Sequence, residues 1–321
     1  MTRLVVAAIG LALFAAPVLA IGQEPSADPP DEIVVHGQRN PEQVRQFVHN
    51  VSVAAPSVGQ LARWNQHICP GVVGAPEATS QIIIDQIARR ASALGLRVGA
   101  PGCRPDLTII VTSDSDRIAQ AIYDQRRTLL TRPNNVDGAT LGEQALTEFV
   151  HTPRPVRWWH ISQKTTADGL VMSDERSSPT SNSAITAAQT LANPTSPTTG
   201  DGMSNTVAHR ADGTRLRRET RQDFNYVLVI VDLNRLNGAP LSAVADYIAF
   251  VSLAQINPDV NVTSFPTILN LFNVTDASAR PTALSDWDLD YLDGLYHVTR
   301  NSRSANAQQG EIAQRMAVPH S

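Results

Sequence analysis

Two consecutive apolar segments constrain this chain more than anything else in it. Phe224 to Leu233 (Phe-Asn-Tyr-Val-Leu-Val-Ile-Val-Asp-Leu) is a β-branched run of strand length. After Gly238-Ala239-Pro240, the stretch Leu241 to Ile256 places Leu241, Val244, Ala245, Ile248, Ser252 and Ile256 at helical spacing. Tyr247, Phe250, Val251 and Ala254 make its other side apolar as well. A helix with that pattern has to be covered on most of its circumference, so it is read as the central helix of its domain. Hydrophobic residues at 42% are enough to surround it.

The elements before this pair read as a βαβ unit. Leu61 to Val73 is a short mixed segment that can be a strand ending at Pro70-Gly71. Glu77 to Leu94 carries Ile82, Ile83, Ile87, Ala91 and Leu94 at helical spacing, with Gly95 as its stop, and Asp106 to Ser113 is a β-branched strand. Cys69 and Cys103 are placed to tie the two strand approaches together. A disulfide closing a loop of about 33 residues is worth roughly 3 to 4 kcal/mol by chain entropy. Two thiolates without a neighbouring Cys or His pair lack the spacing of a metal site.

Asp116 to Leu130 reads as helical and Pro155 to Ser162 as a further strand. Between about 164 and 221 the composition collapses to Ser, Thr, Asn, Ala, Pro and Gly, which marks an insertion. Ser285 can cap a last helix with Asp288 reaching back, and Leu284 and Leu289 sit where a hydrophobic staple would place them. The series Asp286, Asp288, Asp290, Asp293 lacks the loop glycine and distal Glu of a calcium loop. Residues 301–321 read as a polar, weakly helical tail, and 56–300 as one domain of α/β (α+β) class.

The N-terminus addresses the chain to the envelope. Arg3, an uncharged run of about 13 residues from Leu4, and small residues up to Ala20 fit a signal peptide over 1–20, cleaved near Ala20. The mature protein is therefore expected in the periplasm or outside the cell, with no transmembrane segment and with Cys69 and Cys103 in an oxidising compartment. Residues 21–55 read as a flexible leader. Within it, Asp31 to Arg39 resembles the short box with which outer-membrane transporters of Gram-negative bacteria engage a periplasmic energy-transducing partner, or is simply a short exposed strand. A net charge of -4 supplies no basic face for nucleic acid.

The order strand, helix, strand, strand, strand, central helix, capped helix resembles the catalytic domain of matrixin-like metalloproteases, the zincin fold. The likeness is closest over Ala245 to Leu253, Ser264 to Phe272 and Leu284 to Tyr296. The chain is also similar to a group of uncharacterised exported bacterial proteins with an Ala-Asp-Tyr helix and a Trp-Asp before a final Leu-Tyr. The resemblance implies a mixed sheet with a central buried helix and a capped C-terminal helix. A zincin needs His-Glu-x-x-His, two imidazoles one turn apart and a carboxylate to activate water. Ala245, Asp246 and Ala249 stand at those positions. An alanine offers no lone pair, so neither zinc nor any other cofactor is expected.

Asp246 is either a remnant acid in a cleft, with a raised pKa, or a carboxylate at the helix margin paired with Arg. Trp158 and His160 share one face of a strand and can line a groove, or can belong to the core. The function expected from these residues is a non-catalytic binding or scaffold domain of the bacterial envelope, with a peptide, protein or envelope component as partner. The alternative is a hydrolase acting on envelope peptide or glycan without a zinc site.

Overall fold

The computed structural model describes residues 39–131, 138–167, 169 and 217–318. The expected signal peptide, nearly all of the 31–39 patch and most of the insertion lie outside the described residues. The sheet is built on β4 (Leu107–Thr112) and β6 (Thr220–Asp232), which run parallel from Leu107 opposite Val227 to Thr112 opposite Asp232. On one side β2 (Pro70–Val73) adds parallel to β4, and on the other β5 (Val156–Thr166) adds antiparallel to β6, giving the order β2-β4-β6-β5. A second, two-stranded sheet pairs β1 (His67–Ile68) with β3 (Arg97–Val98). The expected strand at 61–73 is thus shifted: its pairing starts at His67 and continues past Pro70-Gly71 to Val73.

Parallel strands require crossovers, and α2 (Glu77–Ala93) supplies the one between β2 and β4. Alternation along β6 sends Val227, Val229 and Val231 to one face and Leu228 and Ile230 to the other. The first face is covered by α2 and by α6 (Leu241–Leu253), the expected central helix. In α6 every residue from Ala243 to Leu253 is buried, as its all-round apolar pattern demands. The second face is covered by α3 (Ser115–Arg126), α4 (Thr128–Thr131) and α5 (Glu143–His151) through Ala119, Leu130, Leu146, Phe149 and Val150. The class is the mixed α/β expected from sequence.

Two terminal segments depart from expectation. The leader read as flexible to residue 55 contains α1 (Pro41–Val51), whose N-terminus is capped by Asn40 and whose Val44, Phe47, Val48 and Val51 are fully buried. The tail read as polar and weakly helical does form a helix, α8 (Ala305–Ala317), but it is docked, with Ile312, Ala313 and Met316 buried. Each helix packs against the other or against α7 (Asp286–His297), so the folded unit is wider than 56–300 at both ends. The physical reason is a narrow apolar stripe at i, i+3, i+4 and i+7, which sits inside an otherwise polar composition. The start of α7 carries the expected capping box between Ser285 and Asp288, while Leu289 remains partly exposed.

Candidate functional site

The helix positions matching the zinc motif are core. Ala245 and Ala249 are fully buried, so no cleft opens above them. Asp246 sits beside them with 3% of its side chain exposed and is fully engaged. Arg90 of α2 approaches it with Nε and Nη2, each 2.9 Å from a carboxylate oxygen; Gln86 also donates, and the Leu284 N–H donates at 3.1 Å. Burial alone would raise its pKa. The donors from Arg90, Gln86 and Leu284 outweigh that effect and hold the carboxyl below the usual range. Of the two readings of Asp246, the structure has the carboxylate paired with Arg and not the remnant acid with a raised pKa: it is an ionised clamp joining α2, α6 and the entry to α7.

Trp158 and His160 belong to the core; with Phe149, Arg154 and Pro258 they edge only a small cavity of about 20 Å³, too small to be a binding groove. Trp158 is buried with its indole N–H donating to the Ile256 carbonyl at 3.1 Å. His160 Nε2 lies 2.7 Å from the Val251 carbonyl, and its ring stacks on Phe224. Burial pushes this imidazole down to about 4, so it is neutral and donates from Nε2 at physiological pH. Trp159, on the opposite face, is equally buried and donates to the Leu130 carbonyl.

Cys69 and Cys103 form the expected disulfide, with Cα atoms 6.2 Å apart. Gly99 lets the chain pass against it, since a Cβ there would lie 2.4 Å from the Cys103 sulfur. Next to this bridge lies an open trough of about 490 Å³. His67, Arg97, Asp106, Asn65, Gln163 and Asn225 give it a polar lining. His67 Nδ1 is 3.4 Å from Asp106 Oδ2, and Asp106 Oδ1 accepts the Cys69 N–H. Burial raises the Asp106 pKa.

Asn225 enters the trough through a β-bulge. The register of β5 and β6 passes from Ile161 opposite Tyr226 to Ser162 opposite Phe224, which leaves Asn225 as the extra residue. Its Nδ2 is buried and has no hydrogen-bond partner. None of these trough residues belongs to the set singled out from sequence. The available signal was Asn225 itself, a residue disfavoured in strands standing inside the strongest strand of the chain.

The acidic series of α7 is dispersed into structural work. Asp288 accepts from Thr267 Oγ1, from the Ile268 N–H and from the Ser285 N–H; Asp290 pairs with Arg39, and Asp293 with Arg315. Among the described residues no group of three or more His, Cys, Asp or Glu side chains is placed to hold a metal ion. Among them, too, no helix is long and apolar enough to cross a membrane. Comparison with protein families, curated proteins and solved structures finds no match for this chain.

Proposed function

We propose that this chain is an exported, non-catalytic binding domain of the bacterial envelope, a degenerate zincin-like scaffold that holds a peptide segment in the trough beside its disulfide. The observation that carries this reading is the contrast between the two places. Ala245 and Ala249 are packed shut, whereas the trough is open and lined by convergent polar groups, one of them placed by a bulge. The order of elements along the chain supports the zincin-like part of the reading. The disulfide is compatible with an oxidising compartment and supports export.

Selection of random displayed peptides on the mature protein tests this. Selected peptides should lose at least tenfold in affinity for Arg97→Glu and His67→Ala variants, because both side chains line the trough. Failure to select any peptide, or equal binding by the variants, would overturn the reading.

A hydrolase remains the second reading, and the His67–Asp106 pair in the open trough is what favours it. Turnover of a fluorogenic peptide panel that disappears in His67→Ala would establish it in place of binding alone.

A further inference from the structure

Behind the trough wall the protein buries more positive than negative charge. Arg63, Arg221 and Arg300 all interact electrostatically with one another and with a single carboxylate, Asp223. The backbone of Arg63 bridges to β6 at Asp223, which draws its guanidinium to the cluster, where it lies over the Tyr296 ring. Arg63 is 3% exposed and Arg221 4%, and neither can shed its proton. Asp223 Oδ2 is already engaged: it accepts from Arg221 Nε at 3.0 Å and Thr165 Oγ1 at 2.7 Å. Burial and the other two arginines pull Arg63 down to about 10.

Two nitrogens of this cluster are left over. Arg63 donates from Nη2 to the Val298 carbonyl, but Nη1 is buried without a partner. Arg221 donates from Nη1 to the Ala167 carbonyl, but Nη2 is likewise buried without one. Buried donors in folded proteins are nearly always satisfied, so two orphans on two buried cations call for an acceptor. The place where donors of the cluster meet is marked by Gly169, which has φ +88°. A Cβ built there would lie 2.5 Å from Arg221 Nη2 and 2.7 Å from Asn65 Nδ2. Arg221 Nη2 and Asn65 Nδ2 therefore converge on one face of Gly169, close enough together to share one acceptor. Asn65 in turn accepts from Arg300 Nη1 at 3.0 Å and lines the trough, so this meeting point adjoins the open side.

We propose that Arg221 and Asn65, backed by Arg63 and Arg300, form an oxyanion site that takes a carboxylate or phosphate group. As the anchor for an acidic group on the trough's ligand, it rests on the binding reading above; as an anion site it stands by itself. Thermal unfolding of the mature protein at neutral pH, titrated at constant ionic strength with inorganic phosphate, acetate or chloride, tests it. The midpoint should rise saturably with phosphate or acetate and not with chloride, and which oxyanion acts identifies the source chemistry.

Asn65→Ala removes one donor, and Asn65→Asp puts a negative charge in its place. Each should weaken the response at least tenfold while leaving the folded spectrum intact, whereas Arg221→Ala breaks a buried ion pair and is avoided. Absence of a saturable response to either oxyanion, or an undiminished response in both variants, would overturn the site. Oxyanion binding without peptide selection would sink the trough reading alone; peptide binding without an oxyanion response would sink only this inference.

Discussion

His160 should make the protein sensitive to mild acid, by an amount that can be worked out. Its ring is buried, hydrogen-bonded to the Val251 carbonyl of α6 and stacked on Phe224, with a folded-state pKa of about 4 against 6.5 for a free histidine. Above pH 6.5 both the folded and the unfolded chain carry a neutral imidazole, and the group contributes no pH dependence. As the pH falls from 6.5 towards 4 the unfolded chain binds a proton that the folded chain refuses, so stability declines. At about 1.4 kcal/mol per pH unit the whole gap is worth about 3 kcal/mol, of which about 2.5 kcal/mol is lost by pH 4.5. Below pH 4 both states are protonated and this contribution levels off.

Urea unfolding at pH 7 and pH 4.5, on wild type and His160→Gln with the disulfide intact, isolates the effect, because every other titrating group is common to both proteins. Glutamine keeps a donor for the Val251 carbonyl and cannot be charged. The wild type should lose about 2.5 kcal/mol more than the variant between the two pH values. Equal losses, within about 0.5 kcal/mol, would refute the argument that burial governs this imidazole.

Three further outcomes follow from the packing. Asp246→Ala should cost about 3 kcal/mol in denaturant unfolding, since it strands Arg90, and adding Arg90→Met should recover part of that loss. Reducing the Cys69–Cys103 bond, which spans 34 residues, should cost about 4 kcal/mol by the chain-entropy relation, measured as the shift of the urea midpoint with and without reductant. Phe47→Ala should cost about 3 to 5 kcal/mol, the penalty of a core cavity, whereas a residue in a flexible leader would cost nothing on the same urea curve.

The sequence was most readable where burial is complete. Val227 to Val231 and the helix after them are apolar at nearly every position, because both are covered on both sides, and continuous patterns of that kind need no partner to be recognised. The end of that helix was placed too late. Ala254 is apolar and looks like a continuation, but its backbone is extended, a choice that leaves no mark on side-chain hydropathy. The helix at 41–51 was missed because four buried positions, Val44, Phe47, Val48 and Val51, are diluted by polar neighbours and preceded by a low-complexity run. Leu146, Phe149 and Val150 of the helix at 143–151 escaped notice for the same reason.

The candidate site was the least legible part. Its residues come from 64–67, 97–106, 163 and 224–225, segments joined only by the sheet and the disulfide, so no local spacing announces them. Asp246 and His160 drew attention as chemistry because they are polar residues in apolar segments. Each turns out to be polar for a structural reason: one clamps Arg90, and the other satisfies a carbonyl near the end of α6. The capping box at Ser285, by contrast, was readable because all of its partners lie within four residues.

The claim on which everything else depends is that the helix from Leu241 to Leu253 is core and holds no metal. Native mass spectrometry of the mature protein, equilibrated with micromolar zinc and then desalted, measures this directly. The account predicts the mass of the bare chain and an unfolding midpoint that zinc and chelator leave unchanged. One zinc retained per chain, with a midpoint that falls on chelation, would contradict it.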